Sequence, residues 1–412
     1  MKIVDVYLSP GYTGFYYDDQ EAIKKGLKQD GFTYPGHPVT QNFKEVRQAG
    51  ESISVMIVLE DGQVAIGDCV TVQYSGIGGR DSLFLAKDFI PIIEKHVSPK
   101  LIGKNITSFK EMAHFVENIR INNRKLHSAI RYGVTQSILS AVSLIQKKTM
   151  AEVIKEEYNI KGEFTKIPID AQTGDERYIN VDKMILKEID SLPHGLLNNI
   201  KQKIGKNGEK LKDYVKWVRD RILKLRTSTN YNPSLLFDVY GALSTIFRNE
   251  IDSIVEYMGE LEKLADPFKL RLESPIDGGS RDKQIELLKT LRLKLKENNI
   301  HVEIIADEWC NTLEDIKLFV DQKAVDMVQI KSPDLGSLHN TIEALLYCKK
   351  NEIGAYCGGS CNETDISAQI TTNIAIACGA DLCQAKPGMG VDEGFMIVYN
   401  EMNRTLTLSN KN

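Results

Sequence analysis

The second half of the chain repeats one pattern of hydrophobic and polar positions. From about residue 166, a short apolar run is followed by a polar loop and then by a segment whose apolar residues recur every three or four positions. The apolar runs that we interpret as strands are 167–172, 184–193, 235–240, 268–275, 302–309, 327–333, 354–359 and 382–387. Strands that alternate with helices form right-handed parallel crossovers. Eight such units over roughly 250 residues predict a closed (β/α)8 barrel.

An open, doubly wound parallel sheet is the alternative architecture for this pattern. Its dinucleotide-binding forms carry a GxGxxG loop directly after an early strand. The sequence has no such loop at that place, and its glycine-rich pieces, at 74–81 and 357–363, are weak signals. The barrel is therefore the favoured prediction.

The first part of the chain has a different pattern. Alternating apolar residues in 52–59 and 63–71 flank Asp61-Gly62, which supplies the positive-φ positions of a hairpin turn. Apolar residues at helical spacing follow in 82–97 and 126–148. We therefore predict an α/β protein with an N-terminal α+β domain over residues 1–160 and a barrel over residues 161–412.

Composition narrows the class of function. The chain has 412 residues, 42% of them hydrophobic and 26% charged, which suits a barrel with an additional domain. Its 52 Lys and Arg against 56 Asp and Glu give a net charge of −4, so nucleic acid is a poor candidate for its partner. No run of about 18 apolar residues and no leader pattern are present, so we expect a cytoplasmic protein with no membrane partner. The seven cysteines lack zinc-site spacing and are expected to be reduced packing residues.

Charged side chains end four consecutive strands of the predicted barrel. Asp238, Glu273 and Asp307 end the third to fifth strands, and Lys331 ends the sixth. The carboxyl ends of barrel strands build the active site. Neighbouring strands lie about 4.8 Å apart, so three carboxylates gathered there would repel each other without a counter-charge. All-oxygen ligation favours Mg²⁺ over zinc.

Strand periodicity predicts that the mouth of the barrel is polar. In 268–273 the charged residues alternate with apolar ones, so the charged face that includes Glu273 points into the barrel. The same parity places further polar residues on the inner face, namely Asp170, Gln172, Gln329, Lys331, Gln384 and Lys386.

Lys331 and His194 are the candidate acid–base groups. A buried lysine beside a cation should have a lowered pKa, which suits Lys331 to the role of general base. Mg²⁺ stabilises the enediolate that forms when the carbon beside a coordinated carboxylate loses its proton. His194 follows the second run and is expected across the mouth, where it would donate a hydrogen bond or act as a second acid or base. These residues predict proton abstraction α to a carboxylate.

The combination of a barrel, these strand ends and a leading α+β domain resembles the enolase superfamily. Longer segments are similar to the methylaspartate ammonia-lyase family over nearly the whole chain: GESISV, LEDGQVAIGDC, VQYSGIGGRD, LFLAKDFIP, AIRYGVTQ, EKLKDYVKWVRDRILKLR, ADEWCNTLED, VQIKSPDLG, GAYCGGSCNET and AKPGMGVDEG. The resemblance implies that the N-terminal domain caps the barrel. It also implies Mg²⁺-dependent elimination of ammonia from L-threo-3-methylaspartate to give mesaconate, as in glutamate fermentation.

The resemblance assigns roles residue by residue. It implies that Asp238, Glu273 and Asp307 hold the metal and that Lys331 is the base. His194 and Gln329 would hold the metal-side carboxylate, and His194 would serve as the base for the opposite stereochemistry. The remaining implied substrate contacts are Gln73 and Gln172 at the amino group, with Ser360 and Cys361 at the other carboxylate. K⁺ as a monovalent activator and a homodimer are also typical of the family.

Four positions deserve comparison with the family pattern. Ser360 stands where the family usually has Thr, which keeps the hydroxyl group. Asp170, Tyr356 and Gln384 stand where the family usually has Phe, Tyr and Leu around the substrate methyl group. Polar walls forfeit part of the roughly 0.8 kcal/mol per buried carbon that apolar walls supply. One hypothesis is therefore a substrate with a more polar 3-substituent; the alternative is that Asp170 pairs with a nearby Arg or Lys and the methyl compound still fits.

Other functions use the same residues. A racemase or epimerase of the same superfamily would use the metal site and the Lys331–His194 pair to reprotonate the carbon without releasing ammonia. A degenerate barrel used for binding is disfavoured because every candidate acid, amide and base position is filled. Release of ammonia separates the lyase from the racemase.

Overall fold

The computed structural model describes residues 1–77 and 79–410 and begins with an antiparallel sheet. Its strands are β1 (Ile3–Asp18), β2 (Arg47–Leu59) and β3 (Val64–Cys69), in the order β1-β2-β3. The predicted hairpin between β2 and β3 is present, and Gly62 in its turn has φ +87°. Alternate residues of β2, from Ile53 to Leu59, are buried because one face of the sheet lies against helices.

Helix α5 (Ser128–Gln146) covers that face, and α2 (Ala86–His96) and α3 (Ser98–Leu101) also contact the sheet. The other elements of this part are α1 (Gln20–Lys24), α4 (Phe109–Glu117) and α6 (Met150–Glu157), with the short hairpin β4 (Arg120–Ile121) and β5 (Arg124–Lys125) between α4 and α5. Two glycines allow α5 to lie directly on the sheet: a Cβ at Gly67 would stand 2.4 Å from the carbonyl oxygen of Gly133. Any larger residue at Gly67 would push the helix away.

Eight parallel strands close into the predicted barrel. They are β6 (Ile169–Asp170), β7 (Ser191–His194), β8 (Ser234–Asp238), β9 (Leu270–Glu273), β10 (Glu303–Ala306), β11 (Met327–Ile330), β12 (Gly354–Cys357) and β13 (Leu382–Gln384). The ring closes where Gln384 of β13 pairs with Asp170 of β6. The expected fold class, a barrel preceded by an α+β domain, is confirmed.

Helices between and after the strands surround the barrel. They are α7 (Ile179–Leu186), α8 (Glu209–Leu225), α9 (Ala242–Phe247), α10 (Ile251–Ala265), α11 (Arg281–Glu297), α12 (Leu313–Asp321), α13 (Ser332–Leu335), α14 (Leu338–Lys350), α15 (Asp365–Cys378) and α16 (Glu393–Ser409), and a wide π-type turn covers Ile200–Ile204. Capping boxes begin α12 at Thr312 and α15 at Thr364, so the side chains there satisfy backbone N–H groups at the helix start.

The barrel interior is apolar in the middle and polar at its carboxyl end. The apolar layer consists of buried side chains from five strands: Leu236, Ile305, Met327, Tyr356 and Leu382. Since side chains two residues apart share a face, Asp238 and Asp307 lie directly above Leu236 and Ile305. The layer therefore supports the residues of the mouth.

Two strands differ from the sequence prediction. The run 184–193 was wrong as a strand: Met184 lies in α7, and the strand is Ser191–His194. Val181, Met184 and Ile185 are buried at helical spacing, so the period of 3.6 prevailed over the short apolar run. The long strand β1 was missed because its Pro10, Gly11 and Gly14 resemble turn residues.

The N-terminal domain contacts the mouth of the barrel at several points. The side chain of Asn362 donates to the carbonyl of Tyr16, and Thr364 donates to Asp68 with an O–O distance of 2.6 Å. The predicted boundary at 160 falls between α6 and β6 and stays a prediction, and residues 411 and 412 of the predicted barrel domain lie outside the described residues. In the part of the chain that the structure describes, no helix is both long and apolar enough to cross a bilayer.

The apolar layer generates a prediction for stability. Leu236 is fully buried, so Leu236→Ala should lower the free energy of unfolding by about 2–5 kcal/mol through lost burial and an unfilled cavity. Urea unfolding followed by circular dichroism measures the change. The matched control is Leu293→Ala on α11, because Leu293 is 52% exposed. Equal losses in the two variants would contradict a packed barrel interior.

Candidate active site

A cavity at the carboxyl end of the barrel collects most of the predicted site residues. Its lining includes Gln73, Gln172, His194, Asp238, Glu273, Asp307, Gln329, Lys331, Ser360, Cys361 and Gln384. Gln73 comes from the segment after β3 of the N-terminal domain, whereas the other residues come from barrel strands and the loops that follow them. The cavity therefore lies between the two parts of the chain.

The three carboxylates at the strand ends are buried together. Asp238 is 3% exposed, Glu273 0% and Asp307 5%. Burial and then the charge of Asp307 raise the pKa of Asp238 to about 7, although His194 acts against this. Burial, together with Asp238 and Asp307, also raises the pKa of Glu273 well above its ordinary value. The positive charges in the site therefore do not compensate the negative charges of its three carboxylates.

Two of the acid oxygens have no hydrogen-bond partner among the described residues. They are Oε2 of Glu273 and Oδ1 of Asp307. A buried carboxylate oxygen without a donor is costly, and a hard divalent cation would satisfy both oxygens and the mutual repulsion. The residues thus fit Mg²⁺, although the roles of the individual acids stay predictions.

The geometry separates Asp307 from the other two acids. Ligand atoms of His194, Asp238 and Glu273 lie within 4.8 Å of one another. Asp307 instead has its Oδ2 2.6 Å from Nζ of Lys331. A cation that used Asp307 through its unpartnered Oδ1 would leave the contact with Lys331 in place.

The lowered pKa expected for Lys331 from the sequence is wrong when only the charges of the protein act on the amine. Burial lowers the pKa of Lys331, but Asp307 and Glu308 raise it by more, so the pKa lies above its ordinary value. The sequence argument assumed that a cation lies beside the amine and did not include the carboxylate that contacts it. Lys331 is held charged as long as Asp307 keeps its full negative charge.

A buried arginine of the N-terminal domain was missed in the sequence. Arg80 lies 2.9 Å from Asp334 and 3.6 Å from Glu308, and its side chain is 7% exposed. It lines the same cavity as Lys331, as do Tyr240 and Met389. The only available signal was a basic residue at the end of a glycine-rich loop, which is weak because such loops are common.

The amide side chains are held in fixed positions. Gln329 donates from Nε2 to Oε1 of Glu273 over 3.0 Å. Gln73 donates from Nε2 to Asp18 over 2.6 Å, and Asp18 is in turn paired with Arg47. The carbonyl of Gln73 accepts a weak hydrogen bond from Sγ of Cys361. The capping domain therefore fixes Gln73 over the mouth before any substrate arrives.

Asp170 does not line the cavity, which corrects the hypothesis of a polar wall at this position, and Tyr356 does not line it either. Asp170 is fully buried and accepts hydrogen bonds from Ser191 at 2.7 Å, from Tyr356 at 3.0 Å and from Nδ1 of His194 at 2.8 Å. The alternative of an Arg or Lys partner is also wrong. Burial lowers the pKa of His194, but Glu273 and Asp170 raise it by more, to about 10.

Gln384 does lie in the cavity wall, in register with Asp170 on the neighbouring strand. Its side chain is 2% exposed, and its Oε1 has no hydrogen-bond partner in the described part of the chain. Of the three positions expected around the substrate methyl group, Gln384 is therefore the one that places a polar side chain in the cavity wall, with an oxygen that accepts no hydrogen bond from the described residues.

The chain matches two protein-family models. The family model of the methylaspartate ammonia-lyase N-terminus matches residues 1–159, and the model of the C-terminus matches residues 163–411. The chain belongs to the methylaspartate ammonia-lyase family. The resemblance expected from the sequence is thereby confirmed.

Individual members of the methylaspartate ammonia-lyase family are similar over their full lengths. The methylaspartate ammonia-lyase of Clostridium tetanomorphum is 59% identical over 408 residues, covering 99% of each chain. The crystal structure of β-methylaspartase from that organism, an Mg complex, has a TM-score of 0.96 at 58% identity and covers 100% of both chains. That of the Citrobacter amalonaticus methylaspartate ammonia lyase, which contains (2S,3S)-3-methylaspartic acid, has a TM-score of 0.98 at 48% identity with 100% coverage of both.

The crowded acids generate a prediction for metal binding. Mg²⁺ at about 100 times its Kd should raise the free energy of unfolding by about 2.7 kcal/mol, seen as a higher thermal midpoint than in EDTA. Glu273→Gln should lose most of this rise, because the amide keeps the contact with Gln329 but removes a charge. The exposed Glu297→Gln on α11 is the control. A full Mg²⁺-dependent rise in Glu273→Gln would refute the metal role of Glu273.

Proposed function

We propose that this protein is a Mg²⁺-dependent lyase that eliminates ammonia from L-threo-3-methylaspartate to give mesaconate. The observation that carries the proposal is the placement of three buried acids beside Lys331, whose Nζ lies 2.6 Å from Asp307. Family membership supports the same chemistry, since relatives at 59% and 48% identity are methylaspartate ammonia-lyases.

Asp238, Glu273 and Asp307 are the residues that would hold the metal. When bound there, Mg²⁺ polarises the substrate carboxylate and stabilises the negative charge that develops as the adjacent carbon loses its proton. The unpartnered oxygens of Glu273 and Asp307 support this role. Mg²⁺ as the metal is also supported by the Mg complex of the Clostridium tetanomorphum β-methylaspartase.

Lys331 takes the proton from C3 of the substrate. For this it must be neutral, and the negative field of Asp307 opposes neutrality until that carboxylate is shared with a cation. As the C3–H bond breaks, the C2–C3 double bond forms and the C2–N bond breaks, so the electron pair leaves with ammonia. The proton is then on Lys331, and ammonia and mesaconate are the two products.

The other cavity residues bind and orient the substrate. His194 and Gln329 would hold the carboxylate next to C3, and Gln73 with Gln172 would contact the amino group. Ser360 and Cys361, in the loop after β12, would bind the second carboxylate. Asp170 contacts His194, and Tyr356 contacts Asp170, rather than substrate, in contrast to the sequence expectation.

Further properties rest on the family resemblance. We propose activation by K⁺ and a homodimer, which light scattering tests as twice the chain mass of 46.3 kDa. Leu186 and Met396, which are 75% and 53% exposed, are candidate contacts for a second copy. The cytoplasmic location stays a prediction; seven free, buried cysteines suit a reducing compartment.

The test of function is direct. The purified protein with Mg²⁺ and L-threo-3-methylaspartate should release ammonia and form mesaconate in equal amounts, and EDTA should stop both. Lys331→Ala should reduce kcat by several orders of magnitude, because it removes the base itself. The exposed Lys296→Ala is the control.

Two outcomes would contradict the proposal. Near-normal turnover by Lys331→Ala would exclude Lys331 as the base. The same reaction in deuterated water distinguishes the racemase alternative, which would give exchange or inversion at the carbon without an alkene or free ammonia.

A second candidate is the same elimination on an aspartate with a hydrogen-bonding 3-substituent. The orphaned Oε1 of Gln384 favours it, because a hydroxyl group on C3 would supply the missing donor. Initial rates on aspartate, 3-methylaspartate and 3-hydroxyaspartate test this substrate class. A clear preference of the wild type for the methyl compound would end this candidate.

Gln384→Leu sharpens that comparison because it restores the apolar residue usual in the family. If Gln384 contacts the substituent, the variant should shift the ratio of kcat/KM toward the methyl compound by about 10-fold or more, which corresponds to one lost hydrogen bond of about 1–3 kcal/mol. An unchanged ratio would show that Gln384 does not select the substituent.

A further inference from the structure

The backbone at His194 is held in an uncommon conformation. His194 ends β7 directly after Pro193 and has φ +56°, in the left-handed region that non-glycine residues rarely occupy. Such a conformation persists only where surrounding contacts determine it. The side chain is 4% exposed, and its hydrogen bond to Asp170 is the contact that fixes the ring.

Asp170 is itself fixed by donors from two other positions. Ser191 donates to Oδ1 at 2.7 Å, and Tyr356 donates to Oδ2 at 3.0 Å. The three donors belong to β7 and β12, on opposite sides of Asp170 in the barrel wall. Because an ionised carboxylate only accepts hydrogen bonds, Nδ1 of His194 must carry the proton of the 2.8 Å contact.

The second ring nitrogen is then left for the cavity. His194 lines the cavity, whereas Asp170 lies behind it. Glu273 and Asp170 raise the pKa of His194 to about 10, so the ring is neutral only when the charge of the surrounding acids is shared with a cation. With the proton on Nδ1, that neutral ring presents the lone pair of Nε2 to the substrate.

We propose that Asp170 is a positioning residue that fixes the rotamer and the Nδ1–H tautomer of His194, and so makes Nε2 the proton acceptor for the erythro epimer of the substrate. This inference rests on the proposed function. In that reaction the C3 proton passes to Nε2, the C2–C3 double bond forms, and the C2–N pair leaves with ammonia. Lys331 remains the base for the threo epimer.

Asp170→Asn tests the tautomer. If the amide oxygen keeps the hydrogen bond from Ser191, the amide NH₂ group faces Nδ1 and donates to it, so the ring proton moves to Nε2. Nitrogen-15 NMR of the Mg²⁺-loaded protein, with His194→Gln to assign the signal, should show a protonated Nδ1 in the wild type. A protonated Nε2 and an unprotonated Nδ1 are expected in Asp170→Asn at a pH where the ring is neutral.

The kinetic test compares the two epimers. Asp170→Asn should reduce kcat on L-erythro-3-methylaspartate by about 10²–10⁴-fold, the usual contribution of one acid–base group, and should reduce kcat on the threo epimer by much less. Asp170→Phe, which introduces the residue usual in the family, should shift the erythro-to-threo ratio in the same direction. It keeps the test available if Asp170→Asn does not fold.

Ser191→Ala is the matched control, because it removes a donor to the same carboxylate but leaves the contact with Nδ1. Its ratio should stay within about threefold of the wild type. An unprotonated Nδ1 in the wild type, or an unchanged erythro-to-threo ratio in both Asp170 variants, would overturn the inference. If neither epimer is turned over, the proposed function fails, and the NMR measurement still decides the role of Asp170.

Discussion

The mutual repulsion of three buried carboxylates is the constraint on which the site depends. Asp238, Glu273 and Asp307 stand at the ends of successive strands, so the closed barrel itself forces them together. Burial raises the pKa of each, and Lys331 and His194 only partly offset the charge. The crowding of these acids makes them strong ligands for a small cation, because binding relieves their repulsion as well as forming new contacts. The metal preference and the charge state of Lys331 thus follow from one arrangement of acids.

Much of this arrangement was predictable from the sequence. The period of strands and helices gave a barrel, and alternation within 268–273 and 327–331 correctly placed Glu273 and Gln329 in the cavity. Such inferences succeed because a strand has a strict period of two and because parallel strands end at one edge. The limits of the strands were less predictable, as α7 shows, since a short apolar run fits a buried helix as well as a strand.

Contacts between distant parts of the chain were not predictable. Asp170 was interpreted as a polar wall because its parity points inward, but parity does not reveal that Ser191, Tyr356 and His194 all turn toward it. Arg80 was missed for a similar reason, since its partners Asp334 and Glu308 lie more than two hundred positions away. The pKa of Lys331 was predicted in the wrong direction because the pairing with Asp307 depends on a distance and not on a pattern.

The N-terminal domain contributes Gln73 and Arg80 to a cavity whose acids all belong to the barrel. Arg80 is tied to Asp334 in α13, directly beside Lys331, and Gln73 is tied through Asp18 to Arg47 within its own domain. Neither part of the chain holds a complete site. Exchange of one domain with that of a relative would therefore combine an N-terminal domain and a barrel whose charged residues at the shared cavity are not matched to each other. Mutations that alter the substrate range of this protein are thus constrained to arise as coordinated changes on both sides of the domain junction.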